Sequence, residues 1–227
     1  MVIRMKLLDL MADVLFPEYN ACHLCGRFPE QEGILCQSCW KALKAAQYKK
    51  LHVASPEPHA PLTACYAAFP HSGEARELVH LLKYQSDCAA ADWLADAMTA
   101  ALSLSPLASA WPDAVIPVPL HSSRLEQRGY NQALLLAQGV CQRTGLPLVQ
   151  DVLIRVHATD TQLHRDHAER INAMKGAFAV VNAAAIRRQR ILLVDDVLTT
   201  GATAMSCAMA LMDAGAASVS LLTACRA

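Results

Sequence analysis

Arg190 to Thr203 reads RILLVDDVLTTGAT, and this stretch decides the fold. Ile191 to Val194 is a short apolar run of the kind that forms a strand buried on both faces of a parallel sheet. Asp195 and Asp196 follow at its carboxyl end, where open α/β sheets place their ligands. Two carboxylates there are costly unless sugar hydroxyls or a divalent cation offset their charge. Thr199, Thr200, Gly201, Ala202 and Thr203 then make a small, hydroxyl-rich turn ahead of a helical run, so backbone N–H groups and the helix dipole can hold a phosphate. An acid pair beside a phosphate cradle predicts a phosphorylated sugar as ligand. The chain has neither a P-loop lysine motif nor a GxGxxG after a strand, so nucleoside-triphosphate and dinucleotide binding are not supported.

Working outward, apolar periodicity predicts strands at Leu62 to Phe69, around Val115, Ile116 and Val118, and at Ser218 to Thr223. Helices are expected at Glu74 to Tyr84, Ala89 to Leu104, Gln132 to Gln142, and Ala202 to Ala214, the last ended by Gly215. Strands alternating with helices predict an α/β fold, a mostly parallel sheet flanked by helices. A second polar cluster follows the strand at Val115. Arg124, Arg128, Tyr130, Asn131 and Gln132 would reach the same sheet edge if the strands are parallel, and guanidiniums match phosphate oxygens in bidentate fashion. Pyrophosphate is the expected guest. Arg155 to Phe178, with Thr159, Gln162, Arg165 and Arg170, has little apolar periodicity and is expected to be a mobile loop closing over a bound anion.

Cys22 and Cys25 are two residues apart, as are Cys36 and Cys39, with ten residues between the pairs. Such knuckles supply four thiolates for one tetrahedral zinc, and a closed set of four thiolates is structural, not catalytic. A helix is expected in front of them, with Leu7, Leu8, Met11 and Leu15 at helical spacing and Pro17 to stop it. Behind them Lys41 to Lys50 reads as a poor helix and, with Ser55, Pro56, Pro58 and Pro61, as a connector. Residues 1–55 are therefore expected to hold the N-terminal helix, zinc module and linker, and residues 56–227 the larger domain.

Of 227 residues, 54% are hydrophobic and 18% charged, with 20 basic and 20 acidic side chains, so any anion site must be local. The remaining cysteines (65, 88, 141, 207, 225) are scattered through apolar segments, which predicts a reducing cytoplasm. Charges at Arg4, Lys6, Asp9 and Asp13 argue against a signal peptide or membrane span at the start.

Val194 to Thr203 resembles the phosphoribosyl-diphosphate (PRPP) motif of type I phosphoribosyltransferases. On that resemblance Asp195 and Asp196 contact ribose hydroxyls, and Thr199, Thr200, Gly201, Ala202 and Thr203 bind the 5-phosphate. The whole layout is similar to the ComF family: CxxC pairs, then LLKY (81–84), PVPLHSSRLEQRGYNQ (117–132), GAF (176–178) and VDDVLTTGAT (194–203). The resemblance covers nearly the full chain. It implies a zinc module, a phosphoribosyltransferase-like domain, PRPP with Mg²⁺, a pyrophosphate contact from Lys83, cytoplasmic location, and a link to competence or the use of external DNA. Two positions depart from the family pattern: Ala173 and Arg165 stand where asparagine and leucine are usual.

Two functions are then expected to compete. One is a phosphoribosyltransferase, a glycosyltransferase of the pentosyl class, in which Mg²⁺, Arg124 and Arg128 stabilise departing pyrophosphate while an acceptor takes the ribosyl phosphate. The other is a non-catalytic factor in DNA uptake that binds PRPP, a nucleotide or single-stranded DNA, with the zinc module docking a competence-machinery protein.

Overall fold

The computed structural model of the chain describes residues 21–28, 34–47, 52–54, 61–84, 87–104, 111–156 and 176–227. The expected helix over residues 4–15 and the lid residues Thr159, Gln162, Arg165 and Arg170 lie outside them. Two compact units divide the chain, residues 1–46 and 47–227.

In the smaller unit, helix α1 (Gln37–Ala46) rises directly from the second cysteine pair. Most of this segment reads in the sequence as a connector, Lys41 to Lys50, and is helical to Ala46 instead. The helix forms because Cys39 and Leu43, one turn apart, are both buried in it.

The larger unit is built on a five-stranded sheet, ordered β1-β2-β7-β6-β3. Its strands are β1 (His52–Ala54), β2 (Ala64–Pro70), β3 (Ala114–Pro117), β6 (Arg190–Leu198) and β7 (Ser218–Arg226). Pairing is parallel throughout except for β1, which runs antiparallel along β2. A separate antiparallel pair, β4 (Leu153–Arg155) and β5 (Phe178–Val180), replaces the two ends of the expected lid loop, with Arg155 opposite Phe178.

Period-two alternation assigns the faces of β6. Ile191 and Leu193 join Cys207, Ala208 and Leu211 of helix α6 (Ala202–Asp213), together with Phe178 of β5, in one core. The intervening residues Leu192 and Val194 face the other layer, made by α2 (Gly73–Tyr84), α3 (Cys88–Ser103) and α5 (Gln132–Thr144). There Phe69 stacks on Trp93 with ring centroids 5.7 Å apart, and α3 and α5 approach closely at Gly139 and Ala95. Burial of such side chains contributes about 1.5–3 kcal/mol each, which is why this apolar sheet holds its register. No described helix is long and apolar enough to cross a membrane.

Candidate functional site

The four cysteines of the small unit converge. Their Sγ atoms all lie within 4.8 Å of one another, and those of Cys25 and Cys36 are 3.6 Å apart. Zinc–sulfur bonds of about 2.3 Å in a tetrahedron set sulfurs roughly 3.8 Å apart, so the cluster fits one ion. Burial alone would raise the Cys22 thiol, but N–H groups of Cys36, Cys25 and Leu24 outweigh it and bring it down to about 6. The Cys39 thiol is pushed up by burial and by its three neighbours. Four thiolates held this close require a cation.

At the carboxyl edge of the main sheet lies a cavity of about 630 Å³. Asp195 and Asp196 enter it from β6, Lys83 and Tyr84 from the end of α2, and Arg155 from β4. Pro119, Leu120, Arg124, Gln127, Arg128, Tyr130 and Gln132 line it from the segment that follows β3. That segment contains a helix the sequence did not reveal, α4 (Ser122–Arg128), closed by Gly129 in the left-handed region at φ +80°. The seven-residue SSRLEQR has too weak an apolar pattern to announce itself.

Local bonds explain how this segment is aimed. Asn131 caps α5, accepting from Ala133 N at 3.0 Å, while its Nδ2 donates to the Val118 carbonyl at 3.0 Å. Its role is thus to lock the loop to the strand end. The Tyr130 hydroxyl donates to the carbonyl of Leu82, tying the loop to α2. Arg128 Nη1 donates to Gln132 Oε1 at 2.5 Å, which orients its guanidinium.

Asp195 and Asp196 point to opposite faces of β6. Asp196 is 5% exposed, and its Oδ2 forms an ion pair with Lys83 Nζ at 2.9 Å. Asp195 opens on the α6 side and accepts from Asp196 N at 2.8 Å. Enclosure by protein on every side but the cavity, then the Asp196 charge, raise the Asp195 carboxyl to about 8. Once ionised, a carboxylate this basic is a strong acceptor for hydroxyls or a cation.

Next to it a smaller hollow of about 40 Å³ is lined by Thr199, Thr200, Gly201, Ala202 and Thr203 at the start of α6. Gly201 sits at φ +78°, the conformation that turns this loop into the helix, and Ala202 N lies 3.4 Å from Thr200 Oγ1. Thr203 borders both hollows, so the two form one continuous edge.

Arg155 was expected on a mobile loop. It is held on β4, its guanidinium 5.5 Å from the Phe178 ring centre, with burial and then Arg124 pressing it below its ordinary value. Tyr84 closes the LLKY stretch, in which the sequence assigns a role to Lys83 alone; its place beside Lys83 and Arg128 is what brings it to the site.

Residues 11–52 match the double zinc ribbon domain family. DNA utilization protein YhgH of Salmonella typhimurium is 30% identical over 212 residues, covering 92% of this chain and 91% of that protein. Competence protein F of Haemophilus influenzae is 41% identical over 93 residues, 40% of this chain and 41% of that protein. Among solved structures, purine phosphoribosyltransferase from Pyrococcus horikoshii Ot3 is similar at 17% identity and a TM-score of 0.36, over 57% of this chain and 70% of that one.

Proposed function

Because this chain belongs to the ComF family, we propose that it binds PRPP with Mg²⁺ at the edge of the main sheet and transfers the phosphoribosyl group to an acceptor, in the service of competence or DNA use. The observation that supports this most directly is the continuous edge on which the β6 acid pair, the Thr199 to Thr203 turn and the Arg124, Arg128 and Arg155 side chains meet.

Each part of PRPP finds chemistry suited to it. The 5-phosphate suits the N–H-rich start of α6, with the Gly201 turn bringing backbone close. Ribose hydroxyls suit the raised carboxyl of Asp195. Pyrophosphate suits the guanidiniums of Arg124, Arg128 and Arg155. Asp195, with oxygens of PRPP itself, would hold Mg²⁺, which when bound neutralises charge on the leaving pyrophosphate.

In the transfer, the bond from C1 to the pyrophosphate oxygen breaks and its electron pair leaves with pyrophosphate. A lone pair on the acceptor forms the new bond to C1, and the acceptor's proton passes to solvent. The protein's share is positioning and charge stabilisation, consistent with a cavity rich in cations and, among the described residues, without a nucleophile–base pair. The scattered thiols, all free, with Cys88 exposed and the others buried or half-buried, fit work in a reducing cytoplasm.

One observation favours the binding-factor reading. On α1, Trp40 is 46% exposed with Lys44 Nζ 5.8 Å from its ring centre, the pairing of aromatic and cation that single-stranded DNA uses.

Calorimetric titration of PRPP, with and without Mg²⁺, into the wild type and an Asp195→Ala, Asp196→Ala double variant tests the proposal. Magnesium-dependent binding that the double variant loses is expected, followed by pyrophosphate release once an acceptor is supplied. No binding to the folded wild type sinks the transferase reading.

A further inference from the structure

Tyr84 ends α2 at the rim of the cavity with 68% of its surface exposed. Its ring is nevertheless held in place. The Arg128 guanidinium lies 5.6 Å from its centroid, and His80, one turn earlier, lies 4.7 Å away at a 42° tilt. Arg128 is fixed in turn by Gln132, which is 6% exposed, and the Tyr130 hydroxyl holds the last turn of α2 at Leu82.

An aromatic ring is normally stabilised by burying its faces, and this chain has few rings to spare, at 5% of residues. Tyr84 instead leaves most of its surface to solvent next to a cavity whose apolar wall is Val118, Pro119, Leu120 and Val197 and whose polar groups are cations, carboxylates, amides and hydroxyls. Those groups suit phosphate and ribose. Among the described residues of this rim Tyr84 is the exposed aromatic ring, whereas Tyr130 is half-buried with its hydroxyl committed to Leu82.

We infer that Tyr84, braced by Arg128, is a stacking subsite for a planar heterocyclic base. On the phosphoribosyl reading, on which this rests, that base is the acceptor or part of it. The guanidinium contributes twice: it stops the ring from folding down onto the cavity, and its plane offers a second stacking surface. The base can arrive free or as a unit of single-stranded nucleic acid, because either presents the same π-face.

The test uses the full chain with its zinc and two probes: free 2-aminopurine, and 2-aminopurine at the centre of a thymidine oligonucleotide. Each is titrated by fluorescence quenching into the wild type, Tyr84→Phe and Tyr84→Leu. Leucine keeps apolar bulk but has no π-face, so loss of folding does not confuse the reading. Quenching by the wild type and Tyr84→Phe, weakened about tenfold in Tyr84→Leu, is expected. Binding of the free base identifies that source, and binding of the oligonucleotide alone identifies nucleic acid. The subsite is overturned if neither probe is quenched by the wild type, or if Tyr84→Leu binds as tightly as the wild type, as it would were phosphate contacts alone responsible. PRPP titrated into the same wild-type sample separates the two ideas. PRPP binding without Tyr84-dependent quenching sinks the subsite alone; Tyr84-dependent quenching without PRPP binding upholds the subsite and sinks the phosphoribosyl reading.

Discussion

Lys83 Nζ sits 2.9 Å from Asp196 Oδ2, so the cation at the end of α2 neutralises the carboxylate on its own face of β6, while Asp195 opens on the other. The two acids of one motif thereby acquire different environments. Asp196 is paired with Lys83, whereas Asp195 has no cation within salt-bridge reach among the described residues.

Removing one member of that ion pair strands a buried charge. Lys83→Met is expected to destabilise the larger unit by about 2–3 kcal/mol, below the usual cost for a fully buried pair because the lysine side chain is 24% exposed. Adding Asp196→Asn to Lys83→Met is expected to recover much of the loss. Urea denaturation of the two single variants and the double variant checks the cycle.

The Asp195 carboxyl makes stability fall as pH rises. Its folded value, about 8, lies above its unfolded value near 3.8, so over that window the folded chain holds a proton that the unfolded chain has released. Stability from this group is full below about pH 4 and is lost as pH climbs through 8. Asp195→Asn is expected to flatten the decline and to raise the melting temperature at pH 8. PRPP with Mg²⁺ calls for the ionised form, so its affinity for the wild type is expected to increase over the same range. Melting curves and titrations from pH 5.5 to 8.5 measure both, and a wild-type affinity that does not change with pH would count against Asp195 as a ligand group.

Close packing of α3 on α5 sets a steric limit. A Cβ at Gly139 would stand 2.5 Å from that of Ala95, so Gly139→Ala is expected to cost about 1–3 kcal/mol despite alanine's better helix propensity. Pairing it with Ala95→Gly is expected to restore part of the loss, read from chemical denaturation.

One zinc ion per chain is expected on metal analysis of the purified protein, lost in Cys39→Ser and on chelation. Because the sheet has its own apolar core, the circular dichroism of the larger unit is expected to survive chelation. Loss of all secondary structure on zinc removal would show that the metal supports more than the ribbon.

What could be read from the sequence was what lies close together in it. Both cysteine pairs, the β6 acid pair with its Thr-rich turn, and the Arg124 to Gln132 segment are each contained within a few turns of chain, so residue spacing alone marked each as a cluster. The parallel core was legible too, since β6 and β7 are apolar enough to be strands in any setting. The strand position of Arg155 and the rim position of Tyr84 were not, because each comes from distant chain: Arg155 from the β4–β5 pairing, Tyr84 from Arg128. Helices α1 and α4 and strand β1 are short, and elements of that length are decided by tertiary partners more than by propensity. The opposite facing of Asp195 and Asp196 follows from strand alternation, but the choice of Lys83 as partner to Asp196 required the position of α2.

The antiparallel strand β1 also governs how the protein can be cut. A truncation at residue 55, where the prolines begin, would discard His52–Ala54 along with the ribbon and uncover the hydrogen-bonding edge of β2 over Ala64 to Tyr66. Naked edges of this kind recruit other chains, so such a fragment would be prone to aggregate, whereas one beginning at Gln47 would carry its own guard strand.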